Sequence, residues 1–237
     1  MQANSGTLIL DKVAAKRAAS PVPPSESKHQ RTEGSGDGDG TVDRAFDYII
    51  VTDSDGNVLS STIDRDDGND GVYDWRRTST YTFDAQGNEL TSVVQTDVDS
   101  DGSWDTENSN SYTYDSAGNV LTHVFESDSD ADGTPETTNT TTYTYDSDGN
   151  ELTRVVAQSG GTTSTYTSTY DADGNQLTYI VEFDYGSDGS VNSRRLYSYT
   201  YDAYGNRTLV VNQYDSDNDG AWNEVETTTY TNTWACP

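Results

Sequence analysis

A short phrase, Tyr/Phe-Asp-x-x-Gly-Asn (Thr-Asp in its first copy), recurs along this chain at nearly constant intervals. Its Asp falls at Asp53, Asp84, Asp115, Asp146, Asp171 and Asp202, in steps of 31, 31, 31, 25 and 31 residues. A fixed period of that size is the mark of stacked copies of one supersecondary unit, each burying its face against the next. Gly at +3 from the phrase Asp (Gly56, Gly87, Gly118, Gly149, Gly174, Gly205) and Asn at +4 both tolerate positive φ. Tight turns between antiparallel strands require that conformation.

The residues around each phrase predict its two strands. Positions +6 and +10 share one face and are apolar in the first five copies, from Leu59 and Ile63 to Leu177 and Val181. Position +9 lies on the other face and is largely β-branched, so each strand is expected to be partly covered on both faces. The incoming strand carries aromatics at −3 and −1, as at Tyr143 and Tyr145, among Thr and Ser. Such residues suit a pleated surface, and stacked one per repeat they are expected to form a ladder. The fold class is therefore all-β: about six tandem antiparallel hairpins, twelve strands in all, forming an extended or curved, solenoid-like array.

Three regions follow from composition. Residues 1–13 hold a β-prone segment centred on Leu8, Ile9 and Leu10, a candidate donor strand for a neighbouring molecule. Residues 14–44, with Pro21, Pro23, Pro24 and alternating Gly and Asp, read as a flexible linker. Residues 45–237 form the repeat array. The array carries 35 acidic residues and seven Arg, which accounts for the whole net charge of −28. A surface of that sign repels nucleic acid and anionic membranes and attracts divalent cations. No stretch is apolar enough to span a membrane, and the run Leu8–Leu10 is too short for a signal-peptide core. The Thr-, Asn- and Tyr-rich array, free of Lys, nevertheless has an extracellular composition, so the chain is expected to be secreted, with its leader absent from this sequence. The single Cys236 supports no internal disulfide.

A second motif, Asp-x-Asp-x-Asp-Gly-x-x-Asp/Glu, begins 13 residues after the phrase Asp. Its clearest copies place Asp97, Asp99, Asp101 and Asp105; Asp128, Asp130, Asp132 and Glu136; and Asp215, Asp217, Asp219 and Asn223. Two degenerate copies keep Asp66, Asp70 and Asp74, and Asp184, Asp188 and Asn192. Carboxylates at alternating positions of a curling loop converge on one ion, and Ca²⁺ takes six to eight oxygens at about 2.3–2.6 Å. The sixth-position Gly permits the turn, and the ninth residue is expected to close the shell. The unit that starts at Asp146 is six residues short and reads Gln158-Ser159-Gly160-Gly161-Thr162 where the loop should stand. Gly-Gly makes a compact hairpin turn, so one long tip is replaced by a short one between unchanged strands. Position +20 is bulky or apolar in every long tip (Tyr73, Trp104, Pro135, Val191, Trp222) and is expected to pack as a lid on the neighbouring tip.

The acidic loop is similar to the first half of an EF-hand and more so to the calcium hairpin loops of integrin α-chain propellers. The phrase resembles the YD repeats of the Rhs and teneurin families across residues 46–234, which implies a β-sheet shell or spiral. Catalytic groups are sparse: His29 and His123 are the only histidines, and no nucleophile triad, zinc site or phosphate loop stands out. These features favour a non-enzymatic, calcium-stabilised structural protein: a self-associating subunit of an extracellular fibre, sheath or matrix, or an adhesin stalk. The alternatives are a polysaccharide-binding module using the Tyr and Trp rows, an ice-binding Thr surface, and a fragment of an Rhs-like shell.

Overall fold

The computed structural model describes residues 26–34 and 44–230. The candidate donor strand at Leu8, Ile9 and Leu10 lies outside these residues. The fold is all-β. Its strands are β1 (Glu26–Gly34), β2 (Arg44–Thr52), β3 (Val58–Asp67), β4 (Trp75–Phe83), β5 (Glu89–Asp97), β6 (Thr106–Tyr114) and β7 (Val120–Asp128). They continue with β8 (Thr137–Tyr145), β9 (Glu151–Gln158), β10 (Thr162–Tyr170), β11 (Gln176–Tyr185), β12 (Ser193–Tyr201), β13 (Arg207–Asp215) and β14 (Glu224–Thr229). Order in the sheet is order in the chain, with β1 and β14 as the end strands. Among the described residues no helix is long and apolar enough to cross a membrane.

Twelve of the fourteen strands are the expected hairpin arms, two per phrase; β1 and β14 are additional. The linker expectation for residues 14–44 needs correction, because Glu26–Gly34 pairs with β2 over its full length, from Glu26↔Thr52 to Gly34↔Arg44. The segment has no apolar alternation to announce a strand. It is held by the backbone ladder and by side-chain bonds to Asp47, neither of which a local pattern displays.

The chain divides into two compact units, Met1–Tyr112 with Phe125–Thr137, and Thr113–Val124 with Thr138–Pro237. In the first, phrase turns follow β2 and β4 and long tips follow β3, β5 and β7. In the second, phrase turns precede β7, β9, β11 and β13, long tips follow β11 and β13, and the short turn follows β9. Within each unit the two kinds of connection therefore lie at opposite ends of the strands, which gathers the acidic tips on one side.

The six phrases build one turn six times. At the Asp171 copy, Oδ1 accepts the N–H groups of Asp173 (3.0 Å) and Asn175 (2.8 Å), and Oδ2 accepts Asn175 Nδ2 (2.9 Å). The Gly174 N–H closes on the Asp171 carbonyl at 3.1 Å with φ of 81°. A Cβ added at Gly205, the equivalent in the last copy, would stand 3.6 Å from Asn175 Oδ1, so conformation, not space, demands glycine. The Asn amide, followed by backbone N–H groups and against slight burial, holds Asp171 below the usual carboxylate range, and the other five phrase Asp residues share that direction.

Just past the turn the register slips. Tyr170 faces Gln176 and Thr169 faces Thr178, leaving Leu177 as the extra residue of a β-bulge. Leu59, Leu90 and Leu152 occupy the same place. The conserved spacing of +6 leucines thus marks a bulge. Next to it, paired threonine hydroxyls bridge the strands at 2.6 Å in Thr82–Thr91, Thr113–Thr122, Thr144–Thr153 and Thr169–Thr178.

The expected partial cover on both faces is present: the +9 and +10 side chains are buried or half-buried in the first five copies, with Val93 and Val181 the most enclosed on opposite faces. Among the described residues only Ala45, Val93 and Val181 are buried apolar side chains, while Leu121 and Leu177 are each 37% exposed. Every described element belongs to the sheet, and side chains shelter one another in cross-strand rows. The tyrosine ladder differs from expectation. Tyr143 and Tyr145 stack along their own strand, with centroids 6.3 Å apart. The cross-strand row is Tyr166, Tyr179 and Tyr197, spaced 6.1 and 6.0 Å.

Candidate metal centre

Each long tip is folded by its own carboxylates. The first-position Asp turns under the loop, and its Oδ2 accepts the N–H of the sixth-position glycine: Gly71, Gly102, Gly133, Gly189 or Gly220, at 2.8–3.2 Å. The fifth-position Asp accepts the N–H two residues on, as Asp101 does from Ser103 and Asp132 from Thr134, both at 2.7 Å. The fourth position is left-handed in all five tips, with φ of 50–53° at Asn69, Ser100, Ala131, Ser187 and Asn218. That conformation aims the fifth-position carboxylate back over the loop, and only the two Asn copies hinted at it in sequence.

The ninth position closes the loop on backbone. Asp74, Asp105, Glu136 and Asn223 accept the N–H of Asp67, Val98, Ser129 and Ser216 at 2.6–2.7 Å, and Asn192 does the same for Tyr185. An amide oxygen serves this bond as well as a carboxylate, which explains why Asp, Glu and Asn all occur there.

Three groups of acidic side chains bring ligand atoms within 4.8 Å of one another: Asp97, Asp99 and Asp101; Asp128, Asp130 and Glu136; Asp215, Asp217 and Asp219. Asp132 is not in the second group, and Asp105 is not in the first. The first-position carboxylates are withdrawn from solvent, at 3% exposure for Asp97, 5% for Asp128 and 0% for Asp215. Asp97 Oδ1 and Asp215 Oδ1 have no hydrogen-bond partner. A buried carboxylate oxygen without a donor is costly, and a cation bound there would satisfy it together with the two neighbouring carboxylates. Asp130 feels the crowding. The Asp132 N–H lowers its pKa, but burial, the charges of Asp132 and Glu136, and a side-chain hydrogen bond with Asp128 outweigh that and leave it raised.

The two degenerate tips are built differently. Where the third position is Gly68 or Gly186, both oxygens of the first Asp are taken by backbone: Asp66 accepts from Asp70 (3.1 Å) and Gly71 (2.9 Å), Asp184 from Asp188 (3.3 Å) and Gly189 (2.9 Å). Asp66, Asp70 and Asp74 do not converge as a cluster among the described residues. The tip at Asp66 has a cation of its own. Arg31, from β1, places Nη2 2.8 Å from Asn69 Oδ1 and 3.9 Å from Asp66 Oδ2, while its Nη1 bonds Asp47 Oδ2 at 2.9 Å. Tyr73 donates to the same Asp47 at 2.7 Å, and His29 Nε2 lies 3.1 Å away.

Arg194 has a comparable place at the last tip. Its Nη2 is 3.3 Å from Asp215 Oδ2 and its guanidinium lies 4.7 Å above Trp222. Arg76 and Arg194 both stand eight residues before a phrase Asp and directly opposite a first-position Asp, a coincidence of spacing that could have exposed them in sequence. Of the +20 side chains, Tyr73 meets Asp47 and Trp222 lies under Arg194, both strand residues and not the neighbouring tip expected from the sequence. The two last tips touch through Asn218 Nδ2 and the Val191 carbonyl, 3.2 Å apart.

No protein-family model matches the chain, and no curated protein does. Solved structures overlap it loosely. A chain of the Photorhabdus luminescens Tc holotoxin pore aligns at 15% identity and TM-score 0.35, over 80% of this chain and 12% of the other. A porin-like protein from Bacteroides uniformis aligns at 14% identity and TM-score 0.30, over 89% of this chain and 96% of its own. The chain thus spans about an eighth of the toxin component's length. At such similarity neither protein's role passes to this one; what it is, from its own coordinates, is a β-repeat protein with acidic tips.

Proposed function

We propose that this chain is a calcium-stabilised structural β-repeat protein of the cell exterior, a subunit of a fibre, sheath or matrix or the stalk of an adhesin. One observation carries the metal half of this proposal: Asp97 Oδ1 and Asp215 Oδ1 are buried and unpartnered inside three-carboxylate groups. Calcium suits an all-oxygen donor set on a flexible loop. The two tips with Gly at the third position have no such orphan, so the ion is assigned to the tips at Asp97 and Asp215, and to the one at Asp128 on its clustered carboxylates.

The structural half rests on repetition. Identical hairpins, similar tips and a near absence of buried apolar side chains suit a scaffold whose rigidity comes from ladders, turns and ions. Among the described residues β1 and β14 end the sheet, and β14 is exposed throughout, with Val225 at 55%. Such an edge accepts a strand from another copy, and the segment at Leu8–Leu10 is our candidate for it. Nothing in this role requires catalysis.

Thermal melting with calcium and with a chelator tests the metal, and electron microscopy of the same samples tests the assembly. Calcium should raise the melting temperature, and ordered filaments or oligomers should weaken on chelation and on deletion of residues 1–13. A melting temperature indifferent to calcium overturns the first half, and monomers under all conditions overturn the second.

A further inference from the structure

The face of the second unit opposite the Arg194–Asp215 pair carries a groove of about 410 Å³ among β10–β13. Its floor is Val181 and Ser193, 8% and 3% exposed, and its sides include Phe183, Tyr197 and Tyr214 with Arg195. Two facts bear on what it could hold. Ser193 Oγ is buried and has no hydrogen-bond partner, although Ser193 sits directly opposite Phe183 in the register. Arg195 spans the groove, its guanidinium 5.1 Å from the Tyr214 ring centroid and its Nη1 3.4 Å from the Tyr197 hydroxyl.

We propose that this groove binds a neutral saccharide unit. The lining limits the ligand chemistry. A wholly apolar guest would leave the Ser193 hydroxyl unpaired in a dry site, so the guest must carry a polar atom at the floor. Aromatic walls ask for an apolar face on the same molecule, and the tyrosine hydroxyls and the arginine fork ask for several further oxygens at its rim. The net charge of −28 repels an anionic polymer, and Arg195 in the lining opposes a cation. A pyranose, with a C–H face and a ring of hydroxyls, meets all four demands. The volume lies in the range of small-ligand pockets.

Titration calorimetry on the full chain, with cellohexaose, xylohexaose, mannohexaose and maltohexaose, and with trigalacturonate as the anionic comparison, tests this directly. At least one neutral hexaose should bind with Kd below about 1 mM, while trigalacturonate should not. Ser193→Ala and Arg195→Gln should each weaken that binding about fivefold at an unchanged melting temperature. Arg195 is exposed, so its variant keeps the test open if Ser193→Ala unfolds the chain. Failure of all four neutral sugars to bind, stronger binding of trigalacturonate, or folded variants that bind like the parent would each overturn the assignment.

Discussion

Tyr201 donates its hydroxyl to the carbonyl of Gln176 at 2.8 Å, and that bond ties one hairpin to the hairpin before it. Tyr145 and Val120 (2.9 Å) and Tyr170 and Glu151 (3.0 Å) repeat the contact between the residue before one phrase Asp and the fifth residue after the preceding one. The tyrosine of the phrase is therefore a staple between successive turns as well as a packed ring. Tyr201→Phe keeps the ring and removes the bond, and should lower stability by about 1 kcal/mol. A urea midpoint at unchanged slope measures it; an unmoved midpoint would show the staple to be idle.

The phrase carboxylates make stability depend on pH. Their Asn amide and backbone donors depress the folded pKa, so their contribution is complete above the unfolded value, about 3.9, and is lost as pH falls through the depressed range. The urea midpoint of the metal-free chain should drop steeply below pH 4. Asp171→Ala should flatten part of that drop, because the variant has no proton to take up there.

Removing the charge of a buried orphan should have opposite effects with and without metal. Asp97→Asn relieves repulsion within Asp97, Asp99 and Asp101, so the metal-free chain should be no less stable than the parent. It should also lose the calcium-dependent gain of that tip. One site saturated a hundredfold above its Kd adds about 2.7 kcal/mol, which sets the size of the loss. Melting with and without calcium reads both signs, and Asp66→Asn should leave the calcium response intact.

Backbone strain in the tips can be relieved or added two residues apart. Ala131 has φ of 51° and Gly133 of 90°. Ala131→Gly should stabilise the metal-free chain and Gly133→Ala destabilise it, each by about 1–2 kcal/mol. Thermal melts of the pair should move in opposite directions.

β1 should detach before the rest of the sheet. Its described side chains are exposed, and Asp47, 3% exposed, gathers Tyr73, Arg31 and His29. The Tyr73 hydroxyl, then His29 and Arg31, hold the Asp47 pKa down against burial. Asp47→Asn should speed hydrogen exchange of Lys28–Thr32 at least tenfold and leave β8 and β9 unchanged. Uniform exchange across all strands would count against β1 as a separately held edge.

Much of this architecture was readable from one row of letters, because a hairpin is a local object. Asp-x-x-Gly-Asn states its own turn: the donors and acceptors at Asp171 and Asn175 lie within five residues, and Gly174 must take positive φ wherever it stands. The Gln158–Thr162 substitution of a short turn for a long tip was legible for the same reason, as was the first-position Asp beneath each loop. Tertiary structure alone decided what depends on neighbours distant in sequence. It made Glu26–Gly34 a strand through a ladder with β2 and a carboxylate 16 residues beyond Arg31. It spent the ninth-position side chains on backbone, and left Asp97 and Asp215 with an unpartnered oxygen where Asp66 and Asp184 have none. It set Tyr166, Tyr179 and Tyr197 in a row although they fall outside the repeated phrase. Turn geometry is dictated by φ preference and short-range hydrogen bonds, which residue identity carries; register across strands and the last free valence of a buried oxygen exist only once the sheet is assembled.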